Sequence, residues 1–344
     1  MLDSRSRKLI PCEVTNVTAF RRLVEIFAQD QDTLRQGYSN YFRVYFRNFL
    51  GSDFAFYCQM ARSLVSRMEA GDQIVADLGC GFGILDMLIG LFGAKEVIGV
   101  DLSQEKVAVA NKIICELGLT HVSILHGDAL KSDLPREHFD IVIATEVVSH
   151  VHDLNRFFEE AHSILKVGGR FYIADENNAL DIRGRILRRR FWQMVERGPL
   201  RREVGADKPY AKMREDFIRK NFPMIGDKDL CASADGTKGL WGDQIIKAVQ
   251  LFLQGRPFEK SPCFPYLNPL TGEHLEHEYN PLVLKSYLNR KGFQARVIHP
   301  HFYPKSKMKS FVSRWLTALH PVSLIVSPGF EITAIKTTSN TTQS

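Results

Sequence analysis

The sequence has no apolar run long enough to cross a membrane. Its longest nearly apolar stretch, residues 87–94, is well short of the roughly 20 residues that a membrane-spanning helix needs. The first residues also carry no apolar core of the kind that defines a secretory signal. The six cysteines are scattered, with no Cys-x-x-Cys pair and no His/Cys cluster at zinc spacing. These absences predict a cytoplasmic protein in a reducing compartment, without structural zinc.

Charge of neither sign dominates the composition. The 45 basic and 39 acidic side chains leave a net charge of +6, which is too small to indicate a nucleic-acid partner and leans toward anionic surfaces or substrates. With 344 residues, 44% of them hydrophobic, the chain can bury one large core or two modest ones. We therefore expect a globular protein and no binding of nucleic acid.

Short apolar segments alternate with helices in the middle of the chain. Five β-rich segments lie at residues 74–77, 97–100, 122–125, 139–143 and 170–174. Two helices with capping residues lie between them, at residues 103–118 and at residues 153–166, the second closed by Gly168-Gly169. This alternation predicts an α/β fold, with a doubly wound, mostly parallel, Rossmann-like sheet that carries helices on both faces.

The flanking regions suggest five parts. Residues 1–71 read as an N-terminal helical cover, because aromatic and aliphatic residues recur at helical spacing over residues 38–49 and 57–68. Residues 177–279 are too long for a connection in a compact domain and read as an inserted cap or lid. The five predicted parts are the cover at 1–71, the core at 72–176, the cap at 177–279, a C-terminal completion of the fold at 280–336 and a disordered polar tail at 337–344.

Local signals predict further elements in the second half. Within the cap, residues 233–239 are rich in Gly and Asp and predict a loop, and a helix is expected at about residues 241–254. Asn280-Pro281 predicts a helix start, followed by a strand at residues 294–298. Near the end, residues 322–326 and 330–335 flank Ser-Pro-Gly and read as a β-hairpin or a strand return.

The most informative segment is a strand that runs into a glycine-rich turn and then a helix, at residues 75–85. Alternate glycines let the backbone turn sharply and let a ligand approach it closely. Asp101 ends the second strand 22 residues after Gly79, where a carboxylate can accept both ribose hydroxyls of an adenosine. Asp128 ends the third strand, and the adjacent Ala129 is placed to meet an adenine edge. These side chains fall at the sheet edge where ligands bind.

Two ligands compete for this site. A nicotinamide dinucleotide favours Gly-x-Gly-x-x-Gly, whereas here Ile84 stands where the third glycine would be. Asp77, two residues before the first glycine, would repel phosphates but suits the ammonium of an amino acid. An adenosine that carries an amino acid and no phosphate is S-adenosylmethionine. The alternative is an NAD(P)-dependent oxidoreductase.

These motifs together resemble the class I S-adenosylmethionine-dependent methyltransferases of the small-molecule type. The resemblance covers about residues 72–176, with looser support from residues 280–293. It lies in Asp77-Leu78-Gly79-Cys80-Gly81-Phe82-Gly83, Asp101, Gly127-Asp128-Ala129, residues 139–142 with 146–151, and residues 165–171. The implied cofactor residues are Asp77, Gly79, Gly81, Gly83, Asp101, Leu102, Asp128, Ala129 and Thr145. Thr145 and Glu146 would face the sulfonium and the acceptor. A non-catalytic, cofactor-binding scaffold protein remains a further alternative.

Candidate catalytic groups follow the fourth strand. His150 is the candidate base, with His152 behind it, and Glu146 is the second catalytic candidate. Enzymes that methylate planar amines carry Asn/Asp-Pro-Pro-Tyr/Phe at this place, and this sequence has Ala144-Thr145-Glu146-Val147 instead. We therefore expect transfer to an oxygen or carbon of a small or lipid-like, possibly anionic, acceptor.

Two charged segments allow additional interpretations. Residues 273–278 contain His274 and His277, which could bind a metal with Asp175 and Glu176. The segment resembles instead the acidic lead-in to a helix in small-molecule methyltransferases, so no metal is assigned. Residues 183–202 hold eight arginines among apolar residues. They predict contact with an anionic membrane or substrate, or simply a solvated basic face.

Overall fold

The computed structural model describes most of the chain in several ranges. These are residues 14–29, 42, 50, 52–66, 72–151, 153–199, 208–258, 266–270, 276–298 and 321–337. The predicted helical stripe at residues 38–49 and the predicted disordered tail lie almost wholly outside the described residues, as do His152 and His274. In the described part, no helix is both long and apolar enough to span a membrane.

The described residues form ten α-helices and seven β-strands. The helices are α1 Val17–Ala28, α2 Ser52–Ser66, α3 Ile84–Leu91, α4 Gln104–Leu117, α5 Leu154–Ile164, α6 Ile182–Arg197, α7 Tyr210–Asn221, α8 Asp227–Gly236, α9 Asp243–Leu253 and α10 Pro281–Arg290. The strands are β1 Ile74–Leu78, β2 Glu96–Asp101, β3 Val122–His126, β4 Phe139–Thr145, β5 Leu165–Asp175, β6 Phe293–Ile298 and β7 Phe330–Lys336.

The strands form one sheet in the order β3-β2-β1-β4-β5-β7-β6. Strands β1 to β5 are parallel, and β7 runs antiparallel between β5 and β6. The α/β prediction with a mostly parallel sheet is therefore confirmed. From β1 the strand order runs outward on both sides, to β2 and β3 on one side and to β4 and β5 on the other, so a crevice opens at the carboxyl ends of β1, β2 and β4.

Helices cover both faces of the sheet. One buried cluster joins the inner sides of α1 to α4 to the sheet, and a second joins α5 and α10 to the opposite face. Helix α1 starts where the Asn16 side chain accepts from the Ala19 amide. The rings of Phe20 and Phe54, from α1 and α2, lie 5.8 Å apart. The described N-terminal helices thus belong to the core packing beside α3 and α4.

Three local predictions differ from the structure. Helix α5 ends at Ile164 rather than at residue 166, because Leu165 is buried and pairs with Phe139 as the first residue of β5. The Gly168-Gly169 pair therefore lies inside β5, where Gly168 has a φ of +81°, and does not close a helix. The predicted loop at residues 233–239 is helical as far as Gly236, where α8 ends.

The predicted hairpin near the end is also wrong. Residues 322–326 form a 3-10 helix. Strand β7 instead takes its partners from distant parts of the chain, β5 on one side and β6 on the other. The side-chain amide of Asn178 donates to the carbonyls of Leu324 and Ser327, at 2.8 Å each. These bonds hold the 3-10 turn against the end of β5.

Helices α6 to α9 follow β5 and precede α10 along the chain, and they have a small apolar cluster of their own. Its buried members are Ile218, Ile225, Leu230, Ala234, Ile245 and Val249. Asn178 near the start of the predicted cap and Tyr279 at its end form a parallel β-bridge. The Arg188 guanidinium on α6 pairs with Glu278 at 2.8 Å. The first and last described residues of the predicted cap are therefore joined to each other.

Candidate functional site

The predicted carboxylates converge at one edge of the sheet. Asp77 is the next-to-last residue of β1, Asp101 is the last residue of β2 and Thr145 is the last of β4. Asp128 lies two residues beyond the end of β3. Since these strands are adjacent and parallel, their carboxyl ends line one crevice.

The glycine-rich turn is built so that its backbone faces that crevice. The amides of Gly79 and Cys80 donate to the Val100 carbonyl at 2.7 and 3.1 Å. Gly79 has a φ of +86°, and a Cβ there would come within 2.0 Å of Val147 Cγ2. At Gly81, with a φ of +59°, a Cβ would meet no atom within 4 Å. A ligand can therefore approach the backbone at Gly81, in space that a side chain would otherwise occupy.

Asp101 links the glycine turn to helix α4. Its Oδ2 accepts from the Gly81 amide and its Oδ1 from the Ser103 amide, at 2.8 Å each. Ser103 in turn caps α4 by accepting from the Lys106 amide. The carboxylate is thus held rigidly beside the turn, with further lone pairs available for ribose hydroxyls. The neighbouring Leu102 is 71% exposed, which leaves an apolar side chain next to this position.

Asp77 carries the buried polar atom that a bound ammonium group would satisfy. The residue is 1% exposed, and its Oδ1 has no hydrogen-bond partner among the described residues. Burial, followed by the neighbouring Asp86 and Asp101, raises the pKa of Asp77 well above its usual range. A cation near this carboxylate would reverse that shift, because opposite charge favours the ionised form.

Asp128 and Ala129 occupy the turn after β3. The Asp128 Oδ1 accepts from the Leu130 amide at 2.9 Å, and the residue itself is exposed. Ala129 is partly buried and packs against the apolar cluster below it. The pair therefore offers one polar and one apolar group at the same rim.

Glu146 follows β4 in a left-handed backbone conformation, with a φ of +54°. Its amide donates to the Ala174 carbonyl at 2.8 Å, and its Oε2 accepts from the Glu176 amide at 3.3 Å. The residue keeps contact with solvent. Even so, loss of hydration around the carboxylate, with Asp175 and Glu176 close by, raises the pKa of Glu146 well above its usual range. Glu146 therefore directly follows Thr145 at the carboxyl end of β4.

His150 ends a 3-10 turn at residues 148–150 and points toward a carboxylate from a distant part of the chain. Its Nε2 lies 3.9 Å from Glu276 Oε1, and its side chain is 49% exposed. The other Glu276 oxygen accepts from the Asn177 side-chain amide at 2.9 Å. The sequence predicted no link from His150 to Glu276 and Asn177, because Glu276 lies 126 positions after His150 and 99 positions after Asn177 along the chain.

The Ser149 turn is anchored from two further directions. The Ser149 amide donates to the buried Asp175 carboxylate at 2.9 Å, and the His277 amide donates to the Ser149 carbonyl at 2.8 Å. Despite these hydrogen bonds, burial raises the pKa of Asp175. Asp175 therefore acts as a structural anchor for the turn that presents His150.

Among the described residues, the Cys80 thiol and the possible metal ligands are the remaining candidates. Burial, with Asp86 and Asp77 nearby, raises the pKa of the Cys80 thiol well above its usual range, so the thiol stays protonated. Within the described ranges, no group of three or more His, Cys, Asp or Glu side chains is arranged to hold a metal ion.

Comparison with known proteins identifies the central region. Residues 76–173 match the family model of a methyltransferase domain. The chain is 40% identical to a ubiquinone biosynthesis O-methyltransferase of Bradyrhizobium sp. (strain ORS 278) over 102 residues, which are 29% of this chain and 39% of that protein. A second such enzyme, from Bradyrhizobium diazoefficiens, is 38% identical over 30% of this chain and 40% of the relative. The chain thus spans about two fifths of the length of these curated relatives.

A solved structure overlaps more of the chain, but loosely. An S-adenosylmethionine-dependent methyltransferase from Mesorhizobium loti is 18% identical with a TM-score of 0.44, covering 83% of this chain and all of that one. At this TM-score the overlap supports no further argument. What the match and the sheet order do show is narrower: residues 76–173 are a methyltransferase domain, set in the mostly parallel, Rossmann-like sheet.

The described residues at the glycine turn fit S-adenosylmethionine. The open space at Gly81 lets a ligand lie against the backbone of the turn. The unpaired Asp77 oxygen suits the ammonium group of the cofactor, and the anchored Asp101 carboxylate suits its ribose hydroxyls. They match a dinucleotide less well, because a pyrophosphate at this turn would lie close to two carboxylates.

Proposed function

We propose that the protein is an S-adenosylmethionine-dependent methyltransferase that transfers a methyl group to an oxygen or carbon of a small or lipid-like acceptor. The observation that carries the proposal is the hydrogen bond from the Gly81 amide to Asp101 Oδ2, at 2.8 Å. It holds the proposed ribose-binding carboxylate against the open glycine turn. The proposed cofactor residues are Asp77, Gly79, Gly81, Gly83, Asp101, Leu102, Asp128, Ala129 and Thr145.

Methyl transfer is an in-line displacement, so the protein mainly aligns the acceptor and excludes water. The bound cofactor supplies the methyl group on a sulfonium. We assign His150 as the base that takes the proton of a hydroxyl acceptor, with Glu276 orienting the imidazole from 3.9 Å. Glu146 lines the same crevice, and its raised pKa suits a group that donates a hydrogen bond to the acceptor.

Oxygen is the acceptor atom that the available observations favour. The curated relatives that match the domain carry the name ubiquinone biosynthesis O-methyltransferase. Ala144-Thr145-Glu146-Val147 also lacks the prolines typical of enzymes that grip a planar nitrogen. A hydroxyl acceptor is consistent with a histidine at the crevice, because a hydroxyl needs a base whereas a free amine does not.

We assign residues 177–279 as a cap that covers the acceptor. Its two ends are pinned near the crevice by the bridge between Asn178 and Tyr279 and by the pair Arg188–Glu278. Helix α6 also exposes Ile182, Ile186, Leu187 and Phe191 among its arginines. A helix with exposed apolar and cationic side chains is typical of contact with lipid or a lipid-like substrate, which supports peripheral membrane contact through residues 183–202.

Calorimetry tests the proposal and separates it from its alternatives. We expect the full chain to bind S-adenosylhomocysteine and to give no heat with NADH; the reverse result would indicate the oxidoreductase. Incubation with methyl-labelled S-adenosylmethionine and a metabolite extract should then label an organic product. Binding of S-adenosylhomocysteine without labelling of any extract would indicate the non-catalytic scaffold.

A further inference from the structure

A cavity of about 740 Å³ lies in the cap region, on helix α6. It is lined by side chains from α6 and from two later segments, among them Arg190, Gln193, Met194, Arg197, Lys238 and Tyr266. Four of the α6 residues, Arg190, Gln193, Met194 and Arg197, follow a helical repeat of three and four positions, so they share one face of the helix. This cavity contains none of the residues assigned to the cofactor or to His150.

The lining carries an excess of positive charge. Neither Arg190 nor Arg197 forms an ion pair with any described residue. Among the described residues that line the cavity, Glu196 is the one acidic group, and its carboxylate is already paired with Arg214. Arg214 is fully buried and also donates through Nε to the Ala234 carbonyl at 2.8 Å. The paired carboxylate therefore does not neutralise the cations that face the open space.

Lys238 is the most constrained of these cations. Its Nζ lies 4.3 Å from the centroid of the Tyr266 ring, which stacks on the buried Trp192 at 5.5 Å. In the described structure, no carboxylate lies within ion-pair distance of this ammonium. Loss of hydration, with Arg214 and Arg197 close by and Glu196 opposing them, lowers the pKa of Lys238. An anion in the cavity would relieve that penalty.

We propose that this cavity binds the phosphate group of an organic phosphate, with Arg190, Arg197 and Lys238 as its ligands. These three cations have no ion-pair partner in the described part of the chain. Together they favour a multivalent anion over a single carboxylate, because the attraction grows with the charge of the ligand. Met194 and the Tyr266 ring provide the apolar contact for the organic part. The assignment rests on the proposed function in one respect: the phosphate is taken to belong to the methyl acceptor.

Titration of the full chain with inorganic phosphate, and separately with acetate, tests the site. We expect phosphate to bind and acetate to bind at least tenfold more weakly. Lys238→Gln and Arg197→Gln should each weaken phosphate binding at least tenfold, since each removes a charge-assisted contact. Arg189→Gln is the matched control, because Arg189 is an exposed cation on the same helix that does not line the cavity.

The result that overturns the proposal is the absence of phosphate binding, or an equal loss in Arg189→Gln and Lys238→Gln. Vesicles of phosphatidylserine and phosphatidylcholine distinguish a free organic phosphate from a lipid surface. One outcome is that the protein binds the anionic vesicles but not free phosphate, and that all three variants weaken vesicle binding equally. The arginines of α6 would then contact a lipid surface, and the cavity assignment would be rejected. S-adenosylhomocysteine is titrated in parallel. If it binds and phosphate does not, the cavity assignment alone fails; if it does not bind, the proposed function fails.

Discussion

Asp77 and Asp86 form a buried pair of carboxyl groups beneath the glycine turn. Asp77 is 1% exposed and Asp86 is fully buried. Neither Asp86 oxygen has a hydrogen-bond donor among the described residues. The two carboxyl groups can therefore bond to each other only when a proton lies between them. A Cβ on Gly99 of β2 would come within 2.9 Å of Asp86 Oδ1, which shows how closely β2 packs over this group.

The pair predicts that stability falls as pH rises. Burial raises the pKa of Asp86 to about 7, against about 3.9 in an unfolded chain. Between these values the folded state holds the extra proton, so the free energy of unfolding decreases with rising pH, by up to about 1.4 kcal/mol per pH unit. Asp86→Asn keeps a donor but cannot titrate. Its stability relative to the wild type should therefore increase from pH 4 to pH 7, measured by urea denaturation.

The control for this experiment is Asp229→Asn, which removes an exposed carboxylate from the first turn of α8. Its stability relative to the wild type should stay nearly constant over the same pH range. Parallel pH profiles for the wild type and Asp86→Asn would show that Asp86 takes up no extra proton on folding.

Asp101→Ala should weaken binding of S-adenosylhomocysteine at least tenfold while the protein remains folded. The substitution removes the acceptor of the Gly81 and Ser103 amides and the proposed partner of the ribose hydroxyls. Each charge-assisted hydrogen bond contributes roughly 1.5 to 3 kcal/mol. Calorimetry measures the affinity, with Glu105→Ala on the exposed side of α4 as the control. Unchanged affinity in Asp101→Ala would refute the ribose assignment.

Gly81→Val should abolish cofactor binding, whereas Gly118→Val should not. The two glycines are matched, because their φ values are +59° and +64° and a Cβ at either would meet no atom within 4 Å. Both substitutions carry a backbone cost of roughly 1 to 2 kcal/mol. Only Gly81 lies at the crevice. Equal losses of S-adenosylhomocysteine affinity in the two variants would mean that the effect comes from strain and not from exclusion of the ligand.

His150→Gln should lower the turnover of methyl transfer by roughly 10² to 10⁴ and leave the affinity for S-adenosylhomocysteine unchanged. Glu276→Gln should give a smaller loss, because its carboxylate only orients the imidazole. His138→Gln is the control at the opposite end of β4, since His138 directly precedes this strand. Full activity in His150→Gln would remove the base from the mechanism.

Replacing residues 182–275 by a short Gly/Ser linker should preserve cofactor binding within a few-fold and eliminate methyl transfer. The replacement retains Asn178 and Tyr279, and their β-bridge already brings the two cut ends together. All proposed cofactor residues lie between Asp77 and Thr145, outside the excised part. Calorimetry and the labelling assay measure the two effects. Loss of the folded state would instead place these residues in the core and contradict the cap assignment.

Local signals in the sequence predicted most of the sheet and its capped helices. The Ser103 cap and the Gly118 end of α4, and the Asn280 cap of α10, depend on residues a few positions apart. The glycine turn and Asp101 were predictable for the same reason, since a strand, a turn and a second strand follow in order along the chain. The wrong predictions fall where pairing with a distant strand decided the outcome, as at Leu165 in β5 and at β7.

The sequence by itself determined the alternation of strands and helices and the chemistry available at the ends of the strands. The tertiary structure alone decided which side chains meet. Asp86 reads in the sequence as an ordinary acidic residue in the first turn of a helix, and only packing under β2 makes it a buried partner of Asp77. Glu276 reaches His150 across 126 residues, and Lys238 reaches Tyr266 only through the fold. Such contacts arise from the closure of long loops during folding, which no periodic pattern along the chain records.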